Sequence, residues 1–232
     1  MTRYLVELTA DFNAIEDNGY IKNRVILYSD FNVINCLYES NFHKPEEICL
    51  YPDSTTVYLT LKYFYRIKIG KIVSTDLQNS ILQFADTRSF SVFFFGDSSN
   101  ILIELAKNLN LKYPNLKIVG TFSGYNYSTD AVIEIINQKN PDILFIGLGV
   151  SRQEKWICNN HEKLNAKLIL SVGGWFQYLA HSKKRAPFVL RKLSLEWLYK
   201  LITDYKRVYL RYLVGVPKFF YRIFTNKIIL KI

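Results

Sequence analysis

FIGLGVSRQEKWICNN, from Phe145 to Asn160, is the stretch whose reading decides the fold. An apolar run ending at Phe145 and Ile146 stops at Gly147 and Gly149. Ser151-Arg152-Gln153-Glu154 then has the S-x-x-E form that opens a capped helix. A strand that turns through glycines into a helix is half of a unit in which helices cover a parallel sheet. The backbone N–H groups at such a helix start, with the helix dipole behind them, attract an anion, most often a phosphate. The stretch therefore predicts an anion site around Gly147, Gly149 and Arg152, with Gln153 and Lys155 in the same helical turn.

The same alternation runs outward in both directions. Strand-like runs cover Arg24–Tyr28, Ile48–Tyr51, Phe90–Phe95, Leu116–Val119, Asp142–Ile146 and Lys167–Val172. Segments of helical period fill the gaps: Asn32–Ser40, Thr55–Tyr65, Thr75–Phe84, Asn100–Tyr113, Thr129–Asn140 and Ser151–Glu162. The predicted fold is α/β: a Rossmann-like, largely parallel sheet with helices on both faces. Such sheets bind ligands beyond the carboxyl ends of their strands. Several runs end there in small or polar residues, including Ser29-Asp30, Asp53-Ser54, Asp97-Ser98 and Gly173-Gly174. Two consecutive strands ending in glycines place backbone close to a ligand.

Charge divides the chain. The net charge is +10, yet Lys183–Ile232 holds 13 Lys and Arg against two Asp and Glu, leaving the rest near neutral. A basic tail of this kind seeks an anionic surface. Within it Leu195, Leu198, Tyr199, Ile202, Tyr205, Val208, Tyr209, Tyr212 and Leu213 form one wide apolar stripe, with Lys200, Lys206, Arg207 and Arg211 off it. This is a basic amphipathic helical appendage, suited either to the membrane interface or to packing on the sheet. Beyond Gly215 the membrane-surface reading gains, because a small domain has little core space for so many aromatics. The expected division is a 1–193 α/β domain and a 194–232 membrane-associating appendage.

Other features narrow the function. No apolar run reaches transmembrane length, and the first twenty residues lack the form of a secretory signal. Cys36, Cys49 and Cys158 have no metal spacing and read as free thiols. His43, His161 and His181 are isolated, and no D-x-D pair occurs, so no metal is expected. Gly147-Leu148-Gly149 lacks the third glycine of G-x-G-x-x-G and falls late in the chain, which weighs against a dinucleotide oxidoreductase. The tail's aromatics follow a helical stripe, not a stacking platform, which weighs against a nucleic-acid-binding module. Trp156 and Trp197 read as core. Asp53, between a strand and a helix, is either a helix cap or a rim carboxylate able to act as a general base.

These motifs together resemble the bacterial N-acetylmannosaminyltransferases of the WecG/TagA/CpsF type, glycosyltransferase family 26. FIGLGVSRQEKW is similar to the family's G-x-P-x-Q-E-x-W segment, and SVGGWFQYLAHSKKRAP to its GGxFDxxxGxxxRAP segment. LEWLYKLITDYKRVYLRYL resembles the LEWLYRL…R…RY tail, YPDSTTV the PDGxGV segment, and KIVSTDL the R-x-x-G-x-DL segment. SVFFFGDSSN and LNLKYPNLKIVGTFSGY match the upstream VFLLGG and RYP-L-IVG…GY patterns. The resemblance implies an inverting, metal-independent transferase with no cofactor, peripheral at the cytoplasmic face of the membrane. Its partners would be a UDP-sugar donor, a polyprenyl-diphosphate-linked sugar acceptor and an anionic membrane surface, with no nucleic acid; a homo-oligomer stays open.

Residue by residue, the resemblance makes Asp53 the catalytic base and Gln153 its active-site glutamine. It puts Lys71 where the family has an arginine, and Tyr125 at a nucleotide contact. Asn32, Gly147, Gly149, Arg152, Gly173, Gly174 and Gln177 fall in its binding segments. Lys200, Arg207 and Arg211 fall in the appendage that meets diphosphate. This sequence departs from the pattern at Asp30, where the family has threonine, and at Ser54, Ser151, Gln177 and His181. These changes bear on the donor's identity more than on the reaction class.

Overall fold

The computed structural model describes residues 4–9, 24–70 and 73–232. In chain order the elements are β1 (Tyr4–Glu7), β2 (Val25–Ser29), α1 (Phe31–Glu39), β3 (Ile48–Pro52), α2 (Thr55–Leu59), α3 (Ser74–Thr87), β4 (Ser91–Gly96), α4 (Ser99–Lys112) and β5 (Lys117–Phe122). There follow α5 (Thr129–Lys139), β6 (Ile143–Gly147), α6 (Arg152–Asn160), β7 (Leu168–Ser171), α7 (Trp175–Leu179), α8 (Phe188–Lys192), α9 (Glu196–Thr203), α10 (Tyr205–Leu213), α11 (Gly215–Phe224) and β8 (Ile228–Lys231).

Six strands form one all-parallel sheet in the order β3-β2-β7-β6-β4-β5. β2, β3, β6 and β7 are buried along their whole length because helices cover both faces. Alternate residues feed two cores. Val25, Leu27, Phe93, Phe95, Leu144, Ile146 and Ile169 face one side; Ile26, Tyr28, Phe94, Phe145, Leu168 and Leu170 face the other. From β2 the chain steps outward to β3, then crosses the sheet to β4. The reversal leaves a crevice at the carboxyl ends of β2 and β7, where sheets of this class bind ligands.

All six expected strands and the helices between them are present, with ends shifted by a few residues. The helix expected over Thr55–Tyr65 is α2 continued by a π-helix, Thr60–Phe64. The single amphipathic helix expected across Leu195–Leu213 is two helices, broken at Asp204.

The stretch beyond Gly215, expected on a membrane surface, packs into the core instead. Phe219, Ile223, Ile228 and Leu230 are buried. β8 pairs in parallel with β1, which adds a second, two-stranded sheet whose buried Val6, Ile228 and Leu230 extend one of the cores. That extra layer supplies the core space that a single sheet would lack. α11 lies on α1: Asn35 Nδ2 donates to the Gly215 carbonyl (3.0 Å), and Arg222 donates to Asn35 Oδ1 (2.8 Å) and Glu39 Oε1 (2.7 Å). The approach needs a glycine, because a Cβ on Gly215 would stand 2.6 Å from Asn32 Oδ1.

Candidate active site

A cleft of about 370 Å³ opens at the carboxyl ends of β2, β3 and β7. Its lining includes Asp30, Asn32 and Asp53 from the β2 and β3 ends. Gly149, Arg152 and Gln153 come from the turn into α6, and Gly173, Gly174 and Gln177 from the turn into α7. Lys200 of α9 and Val208 and Arg211 of α10 complete it. A second lobe of about 260 Å³ adds Asp97, Gly124, Tyr125 and Gly147, and shares Gly149, Arg152, Gly173, Gly174 and Gln177 with the first.

Asp53 is anchored at the start of α3. That helix has no capping side chain of its own, since Val73 stands at the cap position. Asp53 Oδ1 accepts from the Ser74 N–H (3.1 Å) and its own neighbour Ser54 N–H (2.9 Å), while Oδ2 accepts from the Ser74 hydroxyl (3.0 Å). Burial pushes its carboxyl above the usual range and the Asp30 carboxylate adds to the rise; the Ser74 N–H and Lys200 pull the other way. A carboxylate so held is pre-oriented and more basic than one in water, the condition of a general base.

Gln153 is buried in the first turn of α6. Its Oε1 accepts from the Gly173 N–H (3.1 Å), and its Nε2 donates to Glu154 Oε1 (2.7 Å). One amide thus ties the two glycine turns together. Glu154, only 1% exposed, also accepts from the Ser151 N–H through Oε2 (2.6 Å). Burial pushes its carboxyl up to about 7. Glu154 reaching back to the Ser151 N–H is the capping-box contact that the S-x-x-E form predicts.

Gly149 and Gly173 have φ of +86° and +55°, so each lies where an L side chain is strained. Gly147 has a packing role as well, since a Cβ there would stand 2.8 Å from the Phe176 ring. Gln177 donates to Asp97 Oδ2 (3.0 Å), which fixes the wall of the second lobe. Tyr28 and Trp175 line the first lobe, and the Tyr28 hydroxyl and Trp175 Nε1 are buried with no protein hydrogen bond among the described residues.

Cations gather over the cleft. Arg211 pairs with Asp30 and Lys183 with Asp204, while Lys200 lies 3.0 Å from Glu196. Burial works against the Lys200 charge, yet Glu196, Tyr178 and Tyr212 outweigh it and hold its pKa above the ordinary value. A pre-oriented base, hydrogen-bonding glycine turns and a basic roof fit a substrate whose departing group is anionic.

The glycosyl transferase model of the WecG/TagA/CpsF family matches residues 45–231. The chain belongs to this family. Among its relatives are the N-acetylglucosaminyldiphosphoundecaprenol N-acetyl-beta-D-mannosaminyltransferases of Staphylococcus aureus strains MRSA252, NCTC 8325 / PS 47 and COL. They are 30%, 29% and 29% identical over 157 residues, 68% of this chain. The match spans 61% of the length of each relative.

Of the residues that the WecG/TagA/CpsF pattern singled out, the first lobe gathers Asn32, Asp53, Gly149, Arg152, Gln153, Gly173, Gly174, Gln177, Lys200 and Arg211. Tyr125, exposed, and Gly147 belong to the second lobe. Lys71 lies outside the described residues, as does the side chain of Arg207. Lys155 is exposed and lines neither lobe. The sequence gives Ser74 no role; its place within KIVSTDL, where it opens α3, is the signal that marks it. Tyr28 and Asp97 close strand-like runs that the sequence sets along the ligand rim without giving either a role; the structure seats Tyr28 in the first lobe and Asp97 in the second.

Proposed function

We propose that this chain is an inverting, metal-independent glycosyltransferase. It would move an N-acetylmannosamine-type sugar from a UDP-sugar donor to a polyprenyl-diphosphate-linked acceptor. The reading rests on Asp53, held by Ser74 in the first lobe beneath Lys200 and Arg211. Asp53 takes the proton of the acceptor hydroxyl as that oxygen attacks the anomeric carbon from the face opposite the UDP. The bond to the diphosphate oxygen breaks, and Arg152, Lys200 and Arg211 balance the charge that develops there. Gln153 and the glycine turns orient the donor, and the Tyr125 lobe takes the uridine. The names of the staphylococcal relatives support the sugar and the lipid-linked acceptor.

We assign the protein to the cytoplasmic face of the membrane as a peripheral enzyme whose membrane-facing part is α8 to α10, not the whole of 194–232, since the residues beyond Gly215 pack into the core. Among the described residues no helix is long and apolar enough to cross a membrane. α8 to α10 leave Phe188, Leu193, Trp197, Ile202, Leu210 and Leu213 exposed beside the basic residues, a pattern suited to a lipid surface. Trp197, expected in the core, is 42% exposed on this face.

A thermal-shift panel of UDP, UDP-sugars, NAD and oligonucleotides tests the site. UDP or a UDP-sugar stabilises the fold by about 2.7 kcal/mol at a hundredfold excess over its dissociation constant. NAD and oligonucleotides leave it unchanged. Mass spectrometry of the product made on a short-chain lipid-linked acceptor names the sugar, and strict dependence of turnover on magnesium or manganese refutes the metal-free reading.

A further inference from the structure

At the amino ends of the strands, across the sheet from the cleft, three side chains from separate segments converge. Glu47 precedes β3, while His161 and Glu162 follow α6. One ligand atom from each lies within 4.8 Å of the others.

His161 is 3% exposed, and its Nδ1 lies 3.2 Å from the Ile157 carbonyl oxygen. A carbonyl can only accept, so Nδ1 carries a proton. In the neutral ring Nε2 is then an acceptor. It is buried, has no hydrogen-bond partner among the described residues, and lies 3.6 Å from Glu47 Oε1. Two acceptors turned toward each other repel unless a cation stands between them, either a proton on Nε2 or a metal ion.

Arg24 sets this geometry. Its Nη1 lies 3.3 Å from Glu47 Oε2, and its Nη2 donates to the carbonyls of His161 (3.2 Å) and Leu164 (2.6 Å). The guanidinium therefore holds the far oxygen of Glu47 and the backbone that carries the histidine. A ring N–H on a backbone carbonyl and a hydrogen-bonded carboxylate are the outer partners that orient metal ligands. A proton shared by His161 and Glu47 leaves Glu162 unused. A divalent ion uses all three groups.

We propose that Glu47, His161 and Glu162 bind one divalent transition-metal ion, with zinc best matched to one imidazole and two carboxylates. The ion staples the entry of β3 to the connection between α6 and β7. It lies away from Asp53 and takes no part in sugar transfer, so it stands or falls independently of the proposed activity.

The test is calorimetric titration of zinc chloride into untagged, metal-stripped protein. One equivalent binds, and zinc raises the melting temperature. Glu162→Gln, a change at an exposed side chain, weakens binding at least about tenfold, and Glu47→Gln and His161→Gln weaken it further. Cobalt in place of zinc shows no thiolate charge-transfer band, which separates this site from Cys36, Cys49 and Cys158. A chelator lowers the melting temperature of the zinc-loaded protein without slowing transfer at lower temperature. The proposal fails if zinc gives neither heat nor a thermal shift, if Glu47→Gln and Glu162→Gln bind it as the parent does, or if a thiolate band appears. It also fails if nitrogen NMR shows the His161 Nε2 proton retained with zinc present.

Discussion

Asp30 and Arg211 meet across the cleft, the carboxylate at the end of β2 accepting from the guanidinium of α10. The other oxygen of Asp30 accepts from the N–H groups of Asn32 (2.8 Å) and Val33 (3.0 Å) and so caps α1. One side chain starts a helix and pins the roof of the site. In the proposed reaction Asp30 and the donor's diphosphate compete for the Arg211 guanidinium. Asp30→Thr keeps a capping oxygen and frees the arginine. Fluorescence titration is expected to show UDP binding tightened severalfold, with turnover kept within about tenfold of the parent. Turnover lost while UDP still binds would move the role of base from Asp53 to Asp30.

Asp53→Asn removes the proposed base but keeps an acceptor for the Ser74 N–H. It is expected to spare folding and UDP binding while lowering kcat at least about a hundredfold, the lower end of what a positioned base supplies. Ser74→Ala removes the hydroxyl bond to Oδ2 and keeps the backbone N–H bond to Oδ1, so it should cost less. It should also move the acid limb of the kcat profile to higher pH, because the Ser74 bonds lower the Asp53 pKa. Equal kcat in parent and Asp53→Asn protein would end the assignment.

Glu154 makes stability depend on pH. Its folded pKa is raised from 4.5 to about 7, so between those values the folded protein holds a proton that the unfolded chain has released. The sign follows: stability falls as pH rises from about 4.5 to about 7 and then levels for this group. Glu154→Gln is expected to flatten that part of a melting-temperature profile. It also offers Gln153 an amide where a double acceptor stood, so UDP binding should weaken even where the fold is stable. An unchanged profile would show the carboxyl to be ordinary.

Deleting residues after Gly215 should unfold the protein instead of merely releasing it from lipid. The cut removes Phe219, Ile223, Ile228 and Leu230 from the core. At roughly 1.5–3 kcal/mol for each such side chain, the loss rivals the about 5–15 kcal/mol that holds a domain together. Circular dichroism melting reads the outcome directly; a cooperative melt in the truncated protein would contradict it.

Lipid binding is expected to reside in α8 to α10. Replacing Leu193, Ile202 and Leu213 with serine should abolish flotation with anionic vesicles and leave the melting temperature within a few degrees, since all three are exposed. High salt should weaken flotation of the parent as well, by screening the basic residues. Flotation undiminished in the triple variant would place the lipid contact elsewhere.

The alternation of apolar runs and helical periods was enough to place six parallel strands and the helices between them, because a strand buried on both faces must be apolar along its length. The glycines at 147, 149, 173 and 174 and the carboxylate at 53 were legible for a related reason. A parallel sheet gathers its strand ends on one rim, so residues at those ends share a site wherever they stand in the chain. What the sequence left open depended on pairing between distant segments. The tail beyond Gly215 carries the same aromatic and basic letters whether it meets lipid or core. The partnership of β8 with β1, and of Arg222 with Glu39, decided for core. Ser74 beneath Asp53, Arg211 on Asp30, and His161 facing Glu47 are likewise products of topology. Local pattern records which face of an element is apolar, whereas the partner that covers it is chosen only when the whole chain closes.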